Sequence, residues 1–313
     1  MKRITEEDLK RVQTYPLAGR KSIATRESFS RPVSGEASLK QFLESLPRIY
    51  MAKDLLRVAE RLRECRDAGK PAHFAMGSHV IKNGLGPILQ DLMKRKLVGA
   101  LSFNGSALVH DFEIAYQGAT SEDVDTALGE GKFGLARETA ENLNDAISAG
   151  AARGLGLGRC VGEWIQTHCP HPEDSLLALG ARLGIPTTVH IAVGTDIFHI
   201  HPGFDAGKAG EASYRDFLEF AGSVADLEGG MYLNIGSAVI LPEVFLKALS
   251  LVRNLGHRVE RFTAVNLDFI RQYRPRRNVL ERPTQAGGEA IEIVGPHEIL
   301  LPLLHAAVVT AGG

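Results

Sequence analysis

Three histidines, His79, His110 and His199, stand at or just beyond small-residue turns. Imidazole exchanges its proton near neutrality, so each is a candidate for catalytic proton transfer. A second grouping is His199-Ile200-His201 with Asp196 nearby. In an extended piece the two rings share a side, and with His110 and Asp111 they could hold a divalent ion that activates water. No His-Glu-x-x-His or comparable spacing accompanies them, so neutral, hydrogen-bonding histidines are the expectation and no metal ligand is assigned. A third grouping is Arg271, Arg274, Arg276, Arg277 and Arg282. The guanidinium fork matches carboxylate and phosphate, which makes Arg274 and Arg277 candidates for binding an anionic substrate. A solvated loop, or one paired with acids, is the other reading of such a run.

These groups need elements to hold them. An apolar run at residues 73–76 ends in Gly77-Ser78, and another at 98–103 ends in Asn104-Gly105-Ser106. Between them Leu85, Ile88, Leu89, Leu92 and Met93 recur at helical spacing. A strand, helix and strand of this length form a parallel pair with a right-handed crossover, and ligands of such sheets bind at the carboxyl ends of strands. The same pattern returns with strands expected at 185–193, 231–235 followed by Gly236-Ser237, 259–265 followed by Asp268, and 290–294. Helices are expected at 133–150, 175–183, 214–225, 242–255 and 298–309, with Ser121 capping a further helix start and 271–282 irregular. The glycines at 154, 156 and 158 follow a helix, and Arg159 breaks the Gly-x-Gly-x-x-Gly spacing, so they read as a structural break. The result is a three-layer α/β fold with a largely parallel sheet over residues 51–313, preceded by an arm at 1–50 expected to pack on a neighbouring subunit.

Small turn residues let backbone N–H groups approach a pyrophosphate, and the helix N-termini behind them add positive dipole. Gly77, Ser78, Asn104, Gly105, Ser106, Asp111, Gly236 and Ser237 are therefore cofactor-binding candidates, and Asp268 at a strand end could accept ribose hydroxyls. Glycines that merely close tight turns are the alternative for any one of them. His190 lies in an apolar run and reads as core; Ser106 and Ser237 lack a Gly-x-Ser-x-Gly setting, which argues against a serine hydrolase.

Composition bounds the function. The 313 residues are 44% hydrophobic and 23% charged, ordinary for a folded enzyme. A net charge of −1 disfavours bulk attraction to nucleic acid or membrane. Three cysteines without a Cys-x-x-Cys pair form neither a disulfide framework nor a zinc knuckle. With no long apolar run and no apolar core at the start of the chain, a cytoplasmic location is expected.

From about Ala52 onward the chain resembles deoxyhypusine synthase and its relatives. The family's Thr-Ser-Asn loop is similar to Gly77-Ser78-His79 with Gly84 behind it, and its Thr-Thr-Ala-Gly-Gly followed by acids to Phe103 through Ala107 with Asp111. Its Gly-Gly-Gly-Val-Val turn is similar to Gly236-Ser237-Ala238-Val239-Ile240, and its Asn-Thr-Ala-x-x-x-Asp to Phe262-Thr263-Ala264 with Asp268. The resemblance implies an NAD-binding fold, a homotetramer with sites between subunits, and Thr263 and Ala264 as further cofactor contacts.

The departures bear on chemistry. The family's imine-forming lysine falls at Pro283, which has no amine, and Arg282 beside it stays protonated at any working pH. Its histidine falls at Pro242, and its polyamine-holding carboxylates at His110, His199 and Arg277. Deoxyhypusine synthesis is therefore not expected. The expectation is an NAD-binding enzyme that dehydrogenates or transfers a group on a small metabolite. The alternatives are a non-catalytic nucleotide-binding tetramer, or a metal-dependent hydrolase built on the histidines.

Overall fold

A computed structural model describes residues 2–310. Its centre is one sheet of six parallel strands: β1 Ala72–Met76, β2 Ala100–Asn104, β3 Thr187–His190, β4 Met231–Ile235, β5 Thr263–Asp268 and β6 Glu289–Val294. Their spatial order is β3-β2-β1-β4-β5-β6. The chain thus builds outward from β1 in one direction, then returns to β1 and builds outward in the other. The point of reversal lies between β1 and β4, the place at which sheets of this kind take ligands at their carboxyl ends.

The strands are buried on both faces, as parallel strands must be when helices cover each side. Alternation assigns the faces. Phe74, Met76, Leu233, Ile235, Val265 and Leu267 point into the larger apolar layer, where helices Tyr50–Asp67, Gly86–Lys94 and His297–Thr310 pack. Ala75, Tyr232 and Ala264 point the other way, into a smaller layer with Phe220, Phe245 and Phe262 from around helices Ala206–Ala225 and Ile240–Asn254. That second face also carries polar side chains in its strands. His73 Nε2 meets Ser102 Oγ at 2.8 Å, Ser102 Oγ meets Thr188 Oγ1 at 2.7 Å, and Thr188 Oγ1 meets His190 Nε2 at 3.0 Å. A buried hydrogen-bonded seam thus crosses β1, β2 and β3. His190 is core, as its apolar surroundings led one to expect, yet it is the end of this seam.

Several local expectations are corrected. The helix expected from Ile81 is two pieces, His79–Lys82 and Gly86–Lys94, because Gly84 takes φ +73 between them. Ser121 also has a positive φ of 72; an N-cap residue is extended, so it caps nothing, and the short helix Val124–Gly129 starts behind Asp123. Residues 271–282 are not irregular: Tyr273–Pro275 is helical and Arg276–Glu281 forms a wider, π-type turn. The arginines mask an apolar stripe there, since Pro275, Val279 and Leu280 are all buried. Residues 2–49 hold only short helical segments such as Glu6–Leu9 and Leu39–Ser45, and large apolar side chains in them, including Val12, Tyr15 and Ile23, are exposed. No helix among the described residues is long and apolar enough to cross a membrane.

Candidate functional site

The turns after β1 and β4 meet at the reversal point. Gly77 donates its N–H to Ile235 O at 2.9 Å, and a Cβ on Gly77 would lie 2.2 Å from Gly236 O. Only glycine permits that approach. Gly236 has φ +66, and a Cβ there would sit 2.9 Å from the His297 ring. The turn is pinned from below: the buried Asn234 side chain donates to Ser237 O at 2.9 Å and to Asn266 Oδ1 at 2.8 Å. Ser237 itself is buried, and its hydroxyl accepts from Leu241 N at 3.3 Å in the first turn of Ile240–Asn254.

Around this junction stand His79, Asp268, Phe269 and His297. The His79 ring lies 5.4 Å from that of His297 and 5.3 Å from that of Phe269. His297 is fully buried; one ring nitrogen approaches Leu267 O at 3.3 Å, and Nδ1 has no partner. Burial raises the Asp268 pKa, opposed by backbone hydrogen bonds and by the charges His297 and His79 would carry, while burial lowers that of His297. Asp268 Oδ1 accepts from Phe269 N at 2.8 Å. Val239, Phe269 and Ile270 leave apolar surface exposed at the rim. Close-packed small turns, a helix N-terminus, a strand-end carboxylate that is itself buried, and exposed apolar surface are the parts from which dinucleotide sites are built, with Asn234 Oδ1, Asn266 Nδ2 and His297 Nδ1 orphaned beneath.

A second site lies beside it, over β2 and β3. A chamber of about 200 Å³ is lined by Lys82, Ser106, His110, Glu113, Glu122 and Asp196, among others. His110 Nδ1 lies 2.6 Å from Thr120 Oγ1, and that hydroxyl donates to Glu113 Oε2 at 2.5 Å. Thr139 donates to the other Glu113 oxygen at 3.0 Å. This order of donation puts the imidazole proton on Nδ1 and leaves a lone pair on Nε2. Burial first, then the Lys82 charge, lowers the His110 pKa to about 4, so the ring is neutral at neutral pH.

Asp196 lies flat on Gly105, where a Cβ would come within 2.0 Å of its Oδ2. Burial raises its pKa to about 6, against a weak hydrogen bond from Thr195. His199 sits behind it. Its Nδ1 accepts from Gly194 N and Asp196 N, both at 3.2 Å, and its buried Nε2, 3.9 Å from Asp196 Oδ2, has no hydrogen-bond partner. Burial lowers its pKa as well. His199 therefore shapes the Asp196 loop from within.

Other candidates have different duties. Asn104 caps its helix by accepting from Ala107 N at 2.9 Å, which ties up the side chain offered to a cofactor. Asp111 is buried and accepts from Ser175 Oγ at 2.5 Å, Leu176 N at 2.8 Å and Leu177 N at 3.1 Å. It caps the helix Leu176–Leu183 from a distance instead of facing a nucleotide. Thr263 and Ala264 open β5 at its amino end, whereas Asp268 closes it. In a parallel sheet that is the edge away from the crevice, and Thr263 Oγ1 is spent on Arg61 and Glu289 there. Arg274 pairs with Glu243 at 3.3 Å and Arg277 with Glu281, so both candidates already have an acidic partner, whereas Arg282 meets only Asn278. The histidines do not gather into a metal site either. Among the described residues the one group with ligand spacing is His171, Glu173 and Asp174, all exposed.

Sequence reasoning missed Lys82, Thr120 and Glu113 because each matters only once the Gly105–Gln117 helix and the loop beyond it fold over the chamber. His297, Asn234 and Asn266 left a signal: polar residues within or directly beyond otherwise apolar strand runs.

No protein-family model matches the sequence, and no curated protein sequence matches it. Solved structures do. An inferred deoxyhypusine synthase from Entamoeba histolytica superposes with TM-score 0.55 at 12% identity, over 89% of this chain and 95% of that one. An inferred LOR/SDH protein from Methanococcus maripaludis S2 gives TM-score 0.56 at 16% identity, over 85% and 71%. AgrE in complex with ornithine and NAD+ gives 0.51 at 20% identity, over 83% of this chain and 33% of that one; the chain thus spans about a third of AgrE. This chain has the deoxyhypusine-synthase-like fold, as its turn motifs led one to expect.

Proposed function

We propose that this chain is an NAD-binding enzyme that oxidises, or transfers a group on, a small metabolite held beside the cofactor. The observation that carries the reading is the convergence of the β1 and β4 turns at the sheet's reversal point, directly next to a chamber that presents a neutral histidine. Gly77, Ser78, Gly236 and Asp268 would hold the dinucleotide, the first three through backbone and close approach, Asp268 through ribose hydroxyls. NAD, when bound, supplies the hydride acceptor. AgrE, a third of which shares this fold, forms a complex with NAD+ and ornithine, which supports a dinucleotide as a ligand of this fold.

The chain's own contribution is proton handling. His110 Nε2 accepts a proton from a substrate N–H or O–H, and the Thr120 and Glu113 pair behind it fixes the tautomer and stabilises the imidazolium that forms. Lys82 and Asp196 orient the substrate. The Gly105–Gln117 helix holds Ser106, His110 and Glu113 on successive turns, so one rigid element positions three groups. His79 belongs to the crevice, next to Asp268 and His297. Pro283 and Pro242 occupy the positions at which the family's lysine and histidine would act, and deoxyhypusine synthesis is not proposed. A homotetramer would cover the exposed apolar side chains of residues 2–49 and the crevice rim.

The test is hydride exchange: labelled NAD incubated with a library of small amines, alcohols and amino acids, read by mass spectrometry. Transfer to at least one compound that disappears in His110→Ala supports the reading. Cofactor binding without any transfer would leave a nucleotide-binding protein on this scaffold.

A further inference from the structure

The charge lining the chamber selects its occupant. Lys82 is the one ammonium there, and it has no acidic partner among the described residues. Facing the same space are three carboxylates, and they are not equivalent. Glu113 has both oxygens occupied by Thr120 and Thr139 hydroxyls. Glu122 accepts from Gly134 N at 2.9 Å through one oxygen. Asp196 accepts a side-chain hydrogen bond from Thr195 Oγ1 at 3.3 Å and faces the His199 backbone N–H in a capping box, with its side chain 5% exposed. A buried carboxylate and an exposed, unpaired ammonium therefore line one small chamber with a neutral histidine.

We propose that this chamber binds an aliphatic amino acid, with its carboxylate on Lys82 and its ammonium on Asp196. This rests on the reading of the chain as an enzyme of small metabolites and deepens it by naming the substrate class. A purely anionic ligand would satisfy Lys82 but face three carboxylates; a plain amine would leave Lys82 without a partner and bring a like charge beside it. A zwitterion answers both. A basic amino acid adds a positive charge where carboxylates outnumber the ammonium, with Glu122 still able to accept a hydrogen bond. The volume of about 200 Å³ lies below the range of drug-sized sites and suits a metabolite of this size. The basic stretch at residues 271–282 would have called for an anionic substrate, but its candidates Arg274 and Arg277 are paired with Glu243 and Glu281 and none of its residues lines the chamber.

The test measures binding of L-ornithine, pentanoate and putrescine by calorimetry, with NAD titrated separately. Wild type is expected to bind L-ornithine ~10-fold or more tightly than pentanoate, which has no ammonium, or putrescine, which has no carboxylate, the scale of one charge-assisted hydrogen bond. Lys82→Met, at an exposed and unpaired position, should weaken L-ornithine and pentanoate and not weaken putrescine. Asp196→Asn should weaken L-ornithine and putrescine and spare pentanoate, with circular dichroism to show that the loop still folds. Equal binding of L-ornithine and either pentanoate or putrescine, no L-ornithine binding, or unchanged L-ornithine affinity in Lys82→Met overturns the proposal. If NAD binds while L-ornithine does not, only this inference fails; if NAD does not bind, the cofactor reading fails independently of it.

Discussion

Gly77 and Gly236 touch backbone to backbone across the sheet's reversal point, leaving 2.2 Å between the Gly236 oxygen and the place a Gly77 Cβ would occupy. The obstacle is main chain, which cannot swing aside as a side chain would. Gly77→Ala must therefore displace one of the two turns. We expect a loss of about 3 kcal/mol in stability by urea denaturation, as for overpacking at a rigid site, together with weaker NAD binding. Unchanged stability would show that the turns are not held together as described.

The His110, Thr120 and Glu113 chain sets the pH behaviour of the reaction. With its pKa lowered to about 4, His110 stays an unprotonated base well below pH 6, so the acid limb of kcat/KM should fall near pH 4 to 5 and not near 6.5. His110→Ala should lower kcat about 10²- to 10⁴-fold. Thr120→Val, which removes the Nδ1 acceptor, should cost about tenfold, with Thr120→Ser restoring most of the rate. An acid limb near 6.5 in wild type would contradict the buried, neutral ring.

Asp111 distinguishes a cap from a cofactor ligand. Asp111→Ala strands the Ser175 hydroxyl and two helix N–H groups in a buried place, and about 3 kcal/mol of stability should go with them. NAD affinity, measured under conditions where the variant is folded, should not change. A selective loss of NAD affinity without destabilisation would return Asp111 to the cofactor site.

Two buried histidines give acid a way to destabilise this protein. Burial holds His73 and His190 at about 3, well below the ordinary histidine value. The unfolded chain takes up protons on both as pH falls through 6.5, whereas the folded chain does so only near 3. Stability from this source is complete above about pH 6.5 and declines as pH falls toward 3. Asp111 and Asp196, raised to about 6, and Asp216, which burial raises well above the usual carboxylate range, act in the opposite sense. The histidine share is therefore read as a difference: from pH 7 to pH 5 the urea midpoint should fall more, or rise less, in wild type than in His190→Gln. An identical pH dependence in the two would mean the seam across β1, β2 and β3 is not buried as a neutral network.

The layered parallel fold was legible in the sequence because each strand is a short apolar run that ends in small residues, and each crossover helix carries one apolar face. Which turns share the crevice was legible too, for Gly77, Gly236 and Asp268 all close strands at the same edge. What a side chain does there was not. Asp111 is spaced like a ligand, but helical geometry turns it inward to the Leu176–Leu183 helix. Thr263 and Asp268 were placed in one motif, although five residues of extended strand carry Thr263 to the opposite edge, about 16 Å away at the usual rise. Arg274 and Arg277 read as an open basic loop because their partners Glu243 and Glu281 become neighbours only after folding. The chamber was half visible through His110, Ser106 and Asp196; Lys82, on the short helix His79–Lys82, and Thr120 joined them through a chain course that no periodicity records.

The most direct measurement of the central claim is calorimetric titration of the protein with NAD+, in wild type and in Asp268→Ala. Saturable binding in wild type, weakened ~10-fold or more by loss of the strand-end carboxylate, is the predicted result. Absence of saturable binding, or an affinity that Asp268→Ala leaves untouched, would contradict a dinucleotide seated between β1 and β4.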